Sequence, residues 1–388
     1  MSVHRLDSIP GFNIDRVAAA AGDDPDILRM ENLDTDIPPP EEALEATRAA
    51  IGTDEANSWL PFTGRDDLKA AVALYIERRG GPRYDGRREI VITSGEGDAM
   101  LDALFCLTDP GDEVILTDPT YAGMLNRVRL VGATPRLVPL HIASGEWRLD
   151  LDVLWSAVTD RTRVIFLNNA SFPSGWVASE EEWEAVTSLC CERDLWLLYW
   201  GGFEGVLFDG RPIRHPASLP GMRERTVVVG APSFEQRMIA WRIGWVVAPG
   251  ELVNDLSRVQ IYNGLVASGF AQIGTRVALG APDQDLAAAN AEWQRRRDET
   301  LRQLAGLPVT SPAGGWSLLL DVSALGLDCE RVSQHLLAEK VAATPMRGWG
   351  GAVAERHVRF VFSNEPLMRL ALLGERVRRA LTTAGATF

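Results

Sequence analysis

The segment REIVITSGEGDAMLDALFCL, residues 88–107, passes from a short apolar run through a glycine-containing turn into a helical pattern. Residues 90–92 are typical of a buried strand, and the apolar side chains after residue 97 recur at a helical spacing. A strand that leads directly into a helix is the repeating unit of parallel sheets covered by helices. The segment therefore predicts an α/β fold.

The same arrangement recurs along the chain. Further predicted strands are DEVILTDP (112–119), TRVIFLNN (162–169), LWLLYWGG (195–202), RTVVVGAP (225–232) and RIGWVVAP (242–249). Helical stretches such as SEEEWEAVTSLCCERD (179–194) separate several of them. We predict a large α/β domain with a mostly parallel mixed sheet over residues 50–285 and a smaller α+β domain over residues 286–388. Residues 1–49 are predicted to contribute to the small domain.

Composition excludes several classes of function. The chain has 388 residues and a formal net charge of -14, which disfavours nucleic acid as a partner because phosphates would be repelled. No apolar run approaches the length of a membrane span, and no leader with an apolar core begins the chain. The four cysteines have no metal-ligand spacing, so no metal site is expected. These features predict a soluble, cytoplasmic protein.

The basic residues are strongly biased toward arginine. Of 39 basic side chains, only Lys69 and Lys340 are lysines. Arginine stays protonated in proteins and cannot serve as an imine-forming amine. Any covalent chemistry of a lysine amine is therefore confined to two positions.

The turn TSGEGDAM (93–100) is a candidate anion site. It follows a predicted strand and opens a helix, where the first backbone N–H groups lack partners within the helix. The N–H groups of Gly95, Glu96 and Gly97 could therefore hold an anion.

Five segments together resemble the class I/II aminotransferases along essentially the whole chain. They are TSGEGDA (93–99), DPTYAGM (118–124), FDGR (208–211), WRIGWVVAP (241–249) and VRFVFSN (358–364). The resemblance implies the two-domain architecture called fold type I, the cofactor pyridoxal phosphate (PLP), and a homodimer with active sites at the subunit interface. The N-terminal segment would share in the dimer contacts.

The resemblance also assigns roles to individual residues. The 93–99 turn, Ser233 and Arg242 would lie beside the cofactor phosphate. The ring of Tyr121 would stack on the cofactor. Arg359 would bind the α-carboxylate of the substrate, a task suited to its planar fork of N–H donors.

At six positions the chain departs from the family pattern. Phe234 stands where the family has the lysine that forms the Schiff base, and Trp200 stands where it has the aspartate that pairs with the pyridine nitrogen. The remaining departures replace two tyrosines, an asparagine and a serine, at Trp59, Phe203, Phe172 and Ala231.

These departures predict that the chain has lost PLP-dependent chemistry and needs no cofactor. The vacated pocket would be lined by aromatic rings and by one arginine, namely Trp59, Phe172, Trp176, Trp200, Phe203, Phe234 and Arg359. The predicted function is a PLP-independent biosynthetic enzyme that cyclises, condenses or rearranges a carboxylate-bearing, conjugated or amine-derived small molecule. Tyr121, Glu204 and Glu235 are the candidate catalytic residues, and a carboxylate held against such rings would have a raised pKa. The residues of the phosphate end would be vestigial.

Two alternatives stay open from the sequence. The first is a non-catalytic homologue that binds a ligand or serves as a partner subunit. The second is a genuine PLP-dependent aminotransferase whose lysine has been misplaced in the comparison of motifs.

Overall fold

The computed structural model describes residues 6–386. Its strands are β1 (Leu28–Arg29), β2 (Ile90–Thr93), β3 (Glu113–Asp118), β4 (Thr134–Ala143), β5 (Glu146–Leu149), β6 (Thr162–Asn168), β7 (Trp196–Trp200), β8 (Thr226–Gly230), β9 (Gly244–Val247), β10 (Ser317–Asp321), β11 (Val341–Ala342), β12 (Thr344–Pro345) and β13 (His357–Val361).

The helices alternate with the strands through most of the chain. They are α1 (Asn13–Ala21), α2 (Glu41–Ile51), α3 (Asp54–Asn57), α4 (Asp66–Arg78), α5 (Gly86–Glu89), α6 (Glu96–Leu107), α7 (Ala122–Leu130), α8 (Leu151–Ser156), α9 (Glu180–Glu192), α10 (Gly250–Asn263), α11 (Gly269–Leu279), α12 (Asp283–Gln303), α13 (Cys329–Ala338), α14 (Leu367–Leu370) and α15 (Leu373–Thr383). Among the described residues, no helix is long and apolar enough to cross a membrane.

The largest sheet has eight strands in the order β2-β9-β8-β7-β6-β3-β4-β5. The five consecutive strands from β8 to β4 are parallel, whereas β9 and β5 pair in the antiparallel sense. All residues of β3 and β8 are buried, and β7 is buried from its second residue onward. Burial on both faces explains why these strands are almost continuously apolar in sequence. The predicted α/β fold with a mostly parallel mixed sheet is confirmed.

A second, smaller unit follows the long helix α12. It contains a three-stranded antiparallel sheet in the order β10-β13-β12, which places β13 at the centre. The N-terminal segment joins it, because β1 pairs in parallel with β11. The smaller α+β unit thus has the composition expected from the sequence, while the division at residues 49/50 and 285/286 stays a prediction.

The carboxylate of Asp118, at the end of β3, ties the large sheet to the smaller unit. It accepts hydrogen bonds from the backbone N–H groups of Val353 and Ala354, each at 3.0 Å. The loop approaches so closely that a side chain at Gly350 would overlap this carboxylate. Nearby, the N–H of Thr120 donates to the carbonyl oxygen of Trp349 at 2.8 Å. These bonds hold the loop that carries Trp349 against the end of β3.

We expect Asp118→Ala to destabilise the fold by about 2–3 kcal/mol, because it leaves two N–H groups without their charged acceptor. Urea unfolding would measure the loss. Asp23→Ala, at an exposed turn position, is the control. An Asp118→Ala protein as stable as the control variant would show that the tie contributes nothing.

Candidate functional site

The candidate site lies at the carboxyl ends of the parallel strands. Trp200 is the last residue of β7, and the segments that follow β6 and β8 carry Phe172 and Phe234. Carboxyl ends of parallel strands meet at one edge of a sheet, which is where α/β proteins bind their ligands. The topology of the parallel sheet therefore brings together side chains that are far apart in sequence.

Two stacked rings lie at the centre of the site, and one of them, Phe234, is the residue that the resemblance aligns with the Schiff-base lysine. Phe203 and Phe234 lie face to face, with ring centroids 4.2 Å apart and an interplanar angle of 16°. Trp200 meets the edge of both at 6.1 Å, and Trp316 meets both from the other side at 5.4 and 5.3 Å. All four side chains are buried. We call these four residues the aromatic stack.

Tyr121 lies beside the aromatic stack, at the start of α7. Its ring centroid is 5.3 Å from that of Trp200 and 5.8 Å from that of Phe172. Trp349, from the loop tied to Asp118, adds a third neighbour at 6.3 Å. The position assigned to Tyr121 by the resemblance is therefore lined on three sides by rings.

Two of the predicted pocket residues lie apart from this group. Trp59 follows α3 on the surface, where its side chain is 76% exposed and its ring contacts Phe62. Trp176 is buried, but its indole N–H donates to the carboxylate of Glu182 at 3.2 Å. Glu182 belongs to the capping box of α9, so Trp176 faces that helix end. Within the single chain, neither ring joins the aromatic stack.

Glu204 and Glu235, predicted as catalytic, belong to a different buried group. The hydroxyl of Tyr199 donates to Glu204 at 3.0 Å. Glu235 pairs with Arg79 at 2.6 Å and also accepts a hydrogen bond from the N–H of Gly205. Each glutamate directly follows a ring of the aromatic stack in sequence, and its partners hold it behind that ring. The structure therefore brings neither carboxylate together with Tyr121.

Neither lysine has its amine free for the site. Lys69 is a buried residue of α4, and its amine contacts Asp66 at 2.9 Å and Thr63 at 3.2 Å. The amine of Lys340 pairs with Asp24 at 2.6 Å in the smaller unit. With Phe234 at the lysine position and Trp200 at the aspartate position, the residues present do not fit a lysine-linked PLP.

The start of α6 retains the geometry of an anion site. Gly95 is the N-cap with φ of +104°, and no side chain caps the helix. A side chain at Gly95 would overlap the guanidinium of Arg242, so glycine is what allows that arginine to approach. The hydroxyl of Ser233 is buried without a partner among residues 6–386. These are the residues that the resemblance places beside a phosphate.

Glu96, in the first turn of α6, is the titratable group of the site. Its carboxylate accepts a hydrogen bond from the indole N–H of Trp200 at 2.9 Å. Removal of water around the carboxyl group raises its pKa to about 7, although the Trp200 bond and the charges of Arg242 and Arg127 act in the opposite direction. Glu96 can therefore hold or release a proton near neutral pH.

Arg359 is a fully buried cation on β13, the central strand of the smaller sheet. Its Nη2 donates to the carbonyl oxygen of Glu31 and to the hydroxyl of Thr344, the latter at 3.1 Å. Its guanidinium carbon lies 4.8 Å from the ring centroid of Phe172 and 4.7 Å from that of Trp349. Burial lowers its pKa to about 9, so it remains charged at neutral pH.

Two donors of this arginine are unused. Nε and Nη1 of Arg359 are buried and have no hydrogen-bond partner in the described part of the chain. An unpaired donor on a buried cation is costly, and a carboxylate is the group that pairs with it best. The arrangement is therefore suited to an acid.

Sequence reasoning missed Trp316 and Trp349, which complete the ring contacts of the site. Trp316 precedes β10 in the segment GGWSLLL (314–320), and Trp349 lies in the segment GWGG (348–351). Tryptophan beside glycine was the available signal, because glycine lets a large ring approach a backbone closely.

Comparisons with known proteins agree on one family. The profile described as "Aminotransferase class I and II" matches residues 29–372. The arginine–pyruvate transaminase AruH of Pseudomonas aeruginosa is 31% identical over 348 residues, which are 88% of this chain and 86% of that protein. The probable N-succinyldiaminopimelate aminotransferase DapC of Mycobacterium tuberculosis is 30% identical over 88% of this chain and 91% of its own length.

Solved structures give the same result. The N-succinyldiaminopimelate aminotransferase of Mycobacterium tuberculosis superposes with a TM-score of 0.90 at 28% identity, covering 99% of this chain and 100% of its own. The aspartate aminotransferase of Thermus thermophilus with maleate has a TM-score of 0.87 at 26% identity, covering 98% of each chain. The resemblance to class I/II aminotransferases is confirmed.

These relatives also correct two predictions. The prediction of a PLP-independent enzyme for cyclisation, condensation or rearrangement is wrong, and so is the prediction that no cofactor is used. Relatives that align with most of the chain are transaminases and aminotransferases, and that family is PLP-dependent. The coarser prediction, that the chain is an enzyme, agrees with them.

The raised pKa of Glu96 predicts a pH-dependent effect on stability. Its folded value of about 7 exceeds the unfolded value of 4.5, so the folded protein binds this proton more tightly. The carboxyl group therefore stabilises the fold fully below the unfolded pKa, and that contribution is lost as the pH rises through about 7. We expect Glu96→Gln to be more stable than the parent at about pH 8, on the order of 2 kcal/mol after allowance for partial exposure.

Urea unfolding at about pH 5 and about pH 8 measures this difference. The gain from Glu96→Gln should shrink toward zero at the lower pH, whereas Glu45→Gln, at an exposed position of α2, should change stability equally at both. A gain of the same size at both pH values would show that Glu96 is ionised throughout.

Proposed function

Because the chain belongs to the aminotransferase class I and II family, we propose that it is an enzyme of amino-acid or 2-oxo-acid metabolism and that Arg359 binds the substrate carboxylate. The site supplies a cation, an aromatic wall and one group that titrates near neutrality.

The unpaired Nε and Nη1 of Arg359 carry this proposal. The guanidinium is removed from water; the charge of the Glu31 carboxylate acts on it, but its hydrogen bonds go to a backbone carbonyl and a hydroxyl and none to a carboxylate. A buried cation of this kind gains most from an anion that also accepts its hydrogen bonds. A substrate carboxylate meets both requirements.

The rings around Arg359 would orient the rest of the substrate. Phe172 and Trp349 lie against the guanidinium and against each other, and Tyr121 contacts both rings. With the carboxylate held at Arg359, an apolar or conjugated side chain would pack on these rings and exclude water from the reacting centre.

Glu96 would move the proton. One carboxylate oxygen accepts the Trp200 N–H, and the other accepts no hydrogen bond from residues 6–386. With a pKa of about 7, the free oxygen can accept a proton from a substrate or return one at physiological pH. The Tyr121 hydroxyl is the second candidate, on the opposite side of Trp200.

We also propose that the active form is a homodimer. The resemblance implies one, and the single chain exposes large apolar side chains near the ends of α3, α6 and α10. These are Trp59, Phe105, Tyr262 and Leu265, of which Tyr262 is 91% exposed and Trp59 76%. A dimer interface would cover such a surface, and light scattering from the purified protein would give the mass that tests it.

Removal of Arg359 should abolish the preference for acids. Isothermal titration calorimetry with a panel of amino acids and 2-oxo acids would identify ligands, and each acid has its decarboxylated amine or aldehyde as a matched partner. We expect the acid to bind at least about tenfold more tightly than its partner, and Arg359→Met to remove that difference, a loss of about 2–4 kcal/mol for a buried charge-assisted pair.

Arg356→Met, three residues earlier with an exposed side chain, is the control and should bind as the parent does. Product formation from the bound acid, followed by mass spectrometry, would then give the reaction. Acids that bind Arg359→Met as tightly as the parent would refute the proposed carboxylate site.

A further inference from the structure

Glu31 is a buried carboxylate to which the proposed function assigns no role. It directly follows β1, and the backbone of the preceding residue fixes its position. The N–H of Met30 donates to the carbonyl oxygen of Ala342 at 3.0 Å, and the carbonyl oxygen of Met30 accepts the N–H of Val361 at 2.8 Å. The side chain of Glu31 has no exposed surface. A carboxylate without water around it needs a cation nearby, because burying an unpaired charge is strongly unfavourable.

Two arginines contact Glu31, each at a different group. Nε of Arg29, a partly exposed residue, donates to Oε1 of the Glu31 carboxylate at 2.7 Å. Nη2 of the buried Arg359 donates to the backbone carbonyl oxygen of Glu31. The hydroxyl of Thr344 donates to the same carbonyl oxygen at 3.3 Å. Glu31 therefore joins the arginine of the proposed acid site to a second arginine closer to the surface.

The second carboxylate oxygen of Glu31 is not used by Arg29. Oε2 is buried and has no hydrogen-bond partner among residues 6–386. Burial lowers the pKa of Arg359, and the negative charge of Glu31 is the largest influence that opposes this effect. Arg29, Glu31 and Arg359 therefore form one charge group, in which two positive charges share one negative charge.

We propose that Glu31 is the internal counter-ion of Arg359 and that it weakens the binding of acids, so that a bound carboxylate can leave. The inference rests on the proposed function, in which Arg359 binds the substrate carboxylate. In the empty site, the charge of Glu31 stabilises a guanidinium that has no water around it. In the occupied site, Glu31 and the acid share the same cation, which limits the affinity. Glu31 is thus a positioning residue, because it acts on the acid only through Arg359.

Two substitutions within the charge group should have opposite effects on acid binding. Glu31→Gln removes the competing negative charge and keeps the backbone carbonyl that holds Arg359. We expect it to bind acids about tenfold more tightly than the parent, a difference of about 1.4 kcal/mol. Arg29→Gln removes the cation that partly balances Glu31, so acids should bind more weakly than in the parent. If Glu31 only supported the shape of the site, both substitutions would weaken binding.

Titration calorimetry with 3-phenylpropionate measures this effect. The probe has a carboxylate for Arg359 and a ring for the aromatic wall, and it has no amino or oxo group that could react. Neutral 3-phenylpropionamide is the matched probe, and its affinity should be the same in the parent, Glu31→Gln and Arg29→Gln.

Glu365→Gln is the control variant. The carboxylate of Glu365 is also buried and accepts the backbone N–H of Arg29 at 2.6 Å, but its ion pair is with Arg369. Loss of this charge should leave the affinity for 3-phenylpropionate unchanged. The control therefore separates the charge of Glu31 from the general effect of removing a buried carboxylate near Arg29.

A second measurement needs no ligand. Urea unfolding of the parent, Glu31→Gln, Arg359→Met and the double variant gives the coupling between the two side chains. Glu31→Gln should lower the urea midpoint of the parent, because Arg359 loses its counter-ion. In the Arg359→Met background the same change should lower the midpoint less or raise it, since Glu31 then has no buried cation to balance.

Two results would overturn the proposal. One is a Glu31→Gln protein that binds 3-phenylpropionate no more tightly than the parent does. The other is an equal fall of the urea midpoint on Glu31→Gln with and without Arg359. Neither result decides the proposed function, which fails instead if Arg359→Met binds acids as tightly as the parent.

Discussion

The burial of Arg359 against the adjoining rings of Phe172 and Trp349 is the constraint on which the rest of the site depends. A guanidinium with no water around it needs close, fixed neighbours, and these come from three parts of the chain. The strand β13 supplies the arginine, the segment after β6 supplies one ring, and the loop held by Asp118 supplies the other. The hydrogen bonds at Asp118 therefore do more than join two sheets, because they keep one face of the cation covered. Loosening that loop would admit water to Arg359 and weaken every contact an acid could make there.

The fold could be predicted from the sequence because apolar strands and helical spacings are local patterns that the sheet simply assembles. The site was only partly predictable. The sequence places Phe203 and Phe234 in one pocket, and in the structure their rings stack with centroids 4.2 Å apart. The catalytic roles of Glu204 and Glu235 stay a prediction; Glu235 pairs with Arg79, and Glu204 accepts a hydrogen bond from Tyr199, contacts that sequence spacing does not reveal. Trp349 could not have been found from spacing, since only the tertiary bond to Asp118 brings it near Arg359.

The type of reaction could not be inferred from the side chains that line the pocket. The spacing of the motifs predicts Phe234 and Trp200 at the lysine and aspartate positions of the family, and the structure has these two rings packed together. The packed rings show which side chains line the pocket. The family match over residues 29–372 indicates the kind of enzyme that contains this pocket, one of amino-acid chemistry. Both the aromatic lining and the family match draw attention to Arg359 and Glu96, two charged groups that face the rings.

The scarcity of lysine has a practical consequence for anyone who handles this protein. Lys69 has a side chain that is 5% exposed and held by Asp66, whereas the side chain of Lys340 is 47% exposed. Besides the α-amino group, amine-reactive dyes, cross-linkers and resins will therefore find one accessible lysine among the described residues, set in the smaller unit. A fluorophore or surface tether attached through Lys340 would give every molecule the same orientation. Its ion pair with Asp24 would be lost, but the pocket would be left untouched.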